Sequence, residues 1–111
     1  MWSIRVKQAV FCIVCVFVLY GIFRPTPPAM IFAHADKLGH IAAFMMLALS
    51  ARLAFYKCSE VGFWLPMFLL AFLLEYLQGE LLPLRVFSMG DVWANMVGVV
   101  LAFTCIRFFR C

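Results

Sequence analysis

The sequence predicts an all-α protein, an integral membrane bundle of four short transmembrane helices forming a single domain over residues 1–111. Three observations point there. Hydrophobic residues make up 68% of the chain and charged residues 13%, with a mean hydropathy of +1.07, whereas soluble domains average about 45–50% apolar and about 25% charged. Nine basic and five acidic residues are too few to coat a domain this small, whose surface-to-volume ratio is high. Four runs, residues 8–23, 38–51, 61–74 and 92–106, carry no Asp, Glu, Lys or Arg, and none shows the alternation of a barrel strand; Phe68-Leu69-Leu70-Ala71-Phe72-Leu73-Leu74 plainly lacks it. Helices are the other structure that satisfies every backbone group in lipid.

Each uncharged run is shorter than the roughly 20 residues a span needs. Flanking residues supply the rest, with Arg5, Arg52, Lys57, Arg107 and Arg110 snorkelling and Trp2, Tyr20, Trp64 and Trp93 near the interfaces. The first helix is placed at about 4–23 and ends before Pro25, Pro27 and Pro28. Arg5 and Lys7 precede the uncharged run 8–23 and Ala33-His34-Ala35 has a small-x-small form, as in a signal peptide. The proline-bearing stretch from Arg24 to Ala35 is too long for that reading, so the helix is expected to stay uncleaved. The second helix runs over about 36–56. The third, about 60–79, begins after Cys58-Ser59-Glu60 with Ser59 as N-cap, and Pro66 inside it predicts a kink or a late start. The fourth runs over about 90–110, after a link containing Pro83.

Basic residues orient the bundle. Arg5, Lys7, Arg52, Lys57, Arg107 and Arg110 fall on one side, and Arg24, Lys37 and Arg85 on the other. The richer side is expected to be cytoplasmic, which places both termini in the cytoplasm of a bacterial inner-membrane protein. Because the cations are singles or pairs at the ends of apolar runs, with no basic stripe among aromatics, nucleic acid is excluded as a partner.

The residues that are expensive in lipid gather on the outer side. Asp36 and His40 open the second helix four residues apart, Glu75 and Gln78 close the third three apart, and Asp91 and Asn95 open the fourth four apart. Each pair therefore lies on one helical face. Gly98 and Ala102 continue the face of Asp91 and Asn95, and Gly39 with Ala43 form a similar small pair; both stripes are expected to face the bundle interior. Arg85, in the outer link, is the cation whose planar fork suits a phosphate or carboxylate. Ion pairs of Arg85 with Glu75 or Asp91 would equally serve as a structural clamp.

Other chemistry is less well supported. His40 with Glu75 and Asp91 is a conceivable metal set, but one His with carboxylates and no paired Cys is a weak signal, and neither metal nor cofactor is expected. A hydrolase or transferase would use His40 oriented by Asp36 as base; Ser88 is not framed as a nucleophile elbow. Cys12 and Cys15 sit within an apolar helix and read as packing residues, the five cysteines form no disulfide framework, and the methionines read as core filling.

Asp36-Lys37-Leu38-Gly39-His40-Ile41-Ala42-Ala43-Phe44, then Glu75-Tyr76-Leu77-Gln78, Arg85-Val86-Phe87-Ser88 and Asp91-Val92-Trp93-Ala94-Asn95-Met96-Val97-Gly98 resemble the VanZ-like family, whose pattern is about D-K-x-x-H-x-x-x-F, E-x-x-Q and R-x-x-S-x-x-D-x-x-x-N-x-x-G. The likeness covers residues 36–102 and departs at Leu84, where many members have Gly. It implies a small polytopic bacterial membrane protein, with some relatives linked to glycopeptide tolerance, and it supplies a shared polar set rather than a reaction: Asp36, His40, Glu75, Gln78, Arg85, Asp91 and Asn95. The resulting expectation is an outward polar cluster that binds an envelope lipid headgroup or lipid-linked precursor. Arg85, Glu75, Gln78, Asp91 and Asn95 would be its ligand-binding residues, and Asp36 with His40 would set local protonation. The alternatives are a membrane-embedded hydrolase or transferase using Asp36 and His40, and a non-catalytic helix-clamped scaffold.

Overall fold

Four helices follow one another in the computed structural model: α1 (Ile4–Phe23), α2 (Ala35–Ala54), α3 (Glu60–Leu81) and α4 (Met89–Phe109). It describes residues 2–23, 35–82 and 89–109, with the backbone alone for Ala35, Asp36 and Phe109. The described residues contain no strand, and each helix is long and apolar enough to cross a membrane. The bundle measures 41 × 25 × 23 Å along its principal axes.

Local chemistry sets the helix ends. Ser59 is extended (φ −63°, ψ 161°) and its Oγ accepts from Gly62 N–H at 3.0 Å, satisfying one of the donors left open at the start of α3. Glu60 in that first turn complements the helix dipole. α2 stops at Ala54, two residues before the sequence-predicted end, because the Arg52 guanidinium takes the Phe55 and Cys58 carbonyls at 3.5 and 3.0 Å while Cys58 N–H closes a turn on Phe55. α3 begins ahead of Pro66 and continues through it, so the late start is not what happens; the proline's missing N–H leaves one rung of the helix ladder unmade.

α2 and α4 form the central pair, α1 packs on α2, and α3 packs on α4. The closest approach is at Gly98, where a Cβ would lie 2.5 Å from the Ile41 carbonyl oxygen and 3.0 Å from Met45 N. Gly98 and Ala102 therefore face the interior as their spacing predicts. Gly39 does not: a Cβ there would meet nothing within 4 Å. Ala43 packs half-buried against the core, and the buried α2 stripe is Phe44, Leu47, Ala48 and Ala51, because Phe44 follows His40 by one turn and both turn toward α4.

Phe44, Ala71, Val99 and Ala102 are fully enclosed in the core. Large apolar side chains such as Val16, Phe17, Leu69, Trp93 and Phe108 point outward, which in water would invite aggregation and in a bilayer is the surface that lipid solvates. Met67 is a core residue, whereas Met46 and Met89 are on this outer surface, so only part of the methionine set fills the core.

Candidate functional site

The N-terminal turns of α2 and α4 meet the C-terminal turns of α3 and α1 at one end of the bundle. α4 carries the centre of this polar end. Its Asn95, 1% exposed, donates from Nδ2 to the Ala71 carbonyl of α3 at 2.9 Å. That bond turns Oδ1 toward α2, where it lies 2.8 Å from His40 Nδ1 and accepts its proton. The amide therefore fixes the tautomer: with Nδ1 holding a hydrogen, the other ring nitrogen, Nε2, is directed at Asp91 Oδ2, 3.6 Å away.

Asp91 is bound on its other oxygen. Lys37, one turn before His40 on the same face of α2, places Nζ 2.9 Å from Asp91 Oδ1. Lys37 remains one-third exposed while Asp91 is nearly buried, so the stem crosses the apolar rim and the ammonium neutralises a carboxylate beneath it. A carboxylate held at this depth near the interface, with a cation in contact, avoids most of the cost that an unpaired one would incur at mid-bilayer.

α3 completes the set. Glu75 is 1% exposed, and one of its oxygens, a His40 ring nitrogen and an Asp91 oxygen all lie within 4.8 Å of one another. Gln78, 2% exposed and one turn further on, donates from Nε2 to the Ile22 carbonyl at 2.7 Å. It thereby satisfies an acceptor at the end of α1, where the last carbonyls have no helical partner.

Three of the residues singled out from sequence, His40, Glu75 and Asp91, are thus brought into one cluster. Asn95 joins it as the group that orients the histidine, and Gln78 lies beside it as a link to α1. The described partners of His40 are both on α4. Arg85 and Ser88 fall outside the described residues, as does the side chain of Asp36. Lys37, on the outer side with the acids in the sequence, finds its partner in Asp91 across the α2–α4 seam. The Ala71 and Ile22 carbonyls had no signal, since any residue type offers that acceptor.

Chemically, the cluster offers a histidine of fixed tautomer, two carboxylates from different helices and an ammonium. His40, Glu75 and Asp91 are also the described residues that would hold a divalent ion. Their ligand atoms lie within 4.8 Å of one another, close enough to share one ion, with Lys37 competing for the charge of Asp91.

The family model described as VanZ/LLP1 matches residues 5–110. The chain belongs to the VanZ/LLP1 family. The match spans all four helices and every candidate residue from Asp36 to Asn95, so the polar end lies wholly within the VanZ/LLP1 domain. With four helices suited to crossing a bilayer, this VanZ/LLP1 chain is a membrane protein. No curated protein and no solved structure matches it.

Proposed function

We propose that the polar end binds the anionic headgroup of an envelope lipid or a lipid-linked envelope precursor. One observation supports this above the rest: His40, Glu75 and Asp91, from three different helices, converge within 4.8 Å inside a bundle that is otherwise apolar. A clamp between helices needs one ion pair, and Lys37 with Asp91 already supplies it. A histidine whose Nδ1–H is committed to Asn95 and a second buried carboxylate gather beside that pair, and ionisable groups at membrane depth motivate a functional hypothesis.

In this reading Arg85 contacts the phosphate through its fork, with Lys37 adding a second positive charge at the rim. Glu75, Gln78, Asp91 and Asn95 position these groups, and Asp36 with His40 sets the local proton balance. The basic-residue asymmetry favours the polar end on the periplasmic face of a bacterial inner membrane, with both termini cytoplasmic.

The test is native mass spectrometry of the protein released from nanodiscs doped with a polyprenyl-pyrophosphate lipid. Wild type is expected to retain it, and Arg85→Lys and His40→Ala variants with unchanged helicity are expected to lose at least tenfold in retention. Equal retention in both variants overturns the reading.

A second reading has its own support. With His40 Nδ1–H bound to Asn95, Nε2 is the ring nitrogen left to exchange a proton with a group seated beside Asp91, as a hydrolase or transferase would require. It predicts a headgroup product whose release stops in His40→Gln while binding persists.

A further inference from the structure

The opposite end of the bundle holds a second set of features. α1 lies on α2 and makes only sparse contact with α3, which leaves a groove of about 400 Å³ floored by Leu47 and Ala51 of α2. Phe11, Cys15 and Val18 form one wall and Phe63, Met67 and Leu70 the other. The hydrogen bond from Gln78 to Ile22 ties α1 to α3 at the polar end, and the lining runs along α3 from Gly62 to Leu74. That is roughly 18 Å of helix at 1.5 Å per residue, close to half of the roughly 30 Å hydrocarbon thickness, the depth of one leaflet.

The mouth is cationic. Lys7 lies one turn before Phe11 on the groove-facing side of α1, and its Nζ is 5.2 Å from the Tyr56 ring centroid. Lys57, adjacent to the lining residue Cys58, brings its Nζ to 5.8 Å from the same ring. Two ammonium groups on one phenol ring repel each other. The nearby Arg52 and Arg107 both engage Glu60, and among the described residues neither Lys7 nor Lys57 forms an ion pair with a carboxylate. An anion between them would relieve the repulsion, and an apolar chain attached to that anion would run into the groove.

We infer that this groove is a binding site for one anionic diacyl phospholipid, its phosphate held between Lys7 and Lys57 at Tyr56 and one acyl chain lying between α1 and α3. The site is independent of the polar end and of the role proposed for it. The zwitterionic lipid of the same chain length fits the apolar part equally well, so the selection comes from charge at the mouth. The ring face of Tyr56 supplements it by holding the two ammonium groups in place.

The experiment is native mass spectrometry of the full chain released from nanodiscs of equimolar phosphatidylglycerol and phosphatidylcholine with identical chains. Wild type is expected to retain one phosphatidylglycerol at least fivefold over phosphatidylcholine. Lys7→Gln/Lys57→Gln, the first position half-buried and the second exposed, is expected to bring the ratio to about one. Cys15→Phe, which fills the groove from its wall, is expected to lower retention of both lipids at least threefold. Equal retention of the two lipids by wild type, or an unchanged preference in the double lysine variant, overturns the inference. Full retention by Cys15→Phe removes the acyl chain from the groove and overturns it as well. Should Cys15→Phe fail to fold, the lysine pair still decides.

Discussion

His40 and Asn95 are joined across the α2–α4 seam by a 2.8 Å hydrogen bond in which the imidazole Nδ1–H donates to the amide oxygen. The direction follows from the far side of the amide, where Asn95 Nδ2 must donate to the Ala71 carbonyl. One side chain thus links three helices and chooses the face that the histidine shows to Asp91.

Asn95→Leu keeps the branched heavy-atom outline and removes both bonds. Stranding a buried donor and a buried acceptor is expected to cost about 1–3 kcal/mol, read as a lower midpoint in SDS-induced unfolding of the detergent-solubilised protein. In a cycle with His40→Ala and Asn95→Ala, the coupling energy is expected to fall within about 0.5–3 kcal/mol, the range for residues in contact. Strictly additive effects would contradict the bond.

Lys37 and Asp91 form an asymmetric pair, one-third exposed against nearly buried. Lys37→Met leaves the acid without its described ammonium, yet water reaches the lysine side, so the loss is expected to stay below the roughly 3–5 kcal/mol of a fully buried pair. Lys37→Met/Asp91→Asn is expected to unfold at a higher SDS fraction than Lys37→Met alone, since the neutral amide needs no counter-charge. A double variant less stable than the single would reverse the assignment.

Two glycines separate packing from propensity. Gly98→Ala pushes a methyl against the Ile41 carbonyl and the Met45 amide, both backbone, and overpacking of this kind costs typically about 1–3 kcal/mol. Gly39→Ala meets nothing and is expected to stabilise by about 0.5–1 kcal/mol through backbone entropy in a helix. Thermal melting followed by circular dichroism in one detergent should move in opposite directions for the two.

Ser59 caps α3 through its hydroxyl. Ser59→Ala is expected to cost about 0.5–2 kcal/mol and Ser59→Gly only a few tenths, an order that the same melting experiment reads directly. Equal losses would mean that the cap hydrogen bond contributes nothing to α3.

Residue type and order alone determined the membrane-spanning class, the four helices to within about two residues at each end, and the membership of His40, Glu75, Asp91 and Asn95 in one polar end. Lipid imposes this legibility: a polar side chain in an apolar run is so costly that it turns inward to partners, and spacings of three or four residues place it on a face. The Ser59 cap and the Gly98 contact were readable for the same reason, each being a residue type with a narrow physical use.

Partner choice was decided only by the folded bundle. The described bonds that hold the imidazole come from α4, because the close approach at Gly98 draws the α2 and α4 backbones together and sets Asn95 opposite His40. The same approach selects the Phe44 row over the Gly39 row, and α1, packed mainly on α2, leaves an apolar groove toward α3. Helical periodicity specifies which residues share a face on one helix; which faces meet depends on the fit of side-chain volumes across helices, a property of the assembled core that no single run of sequence contains.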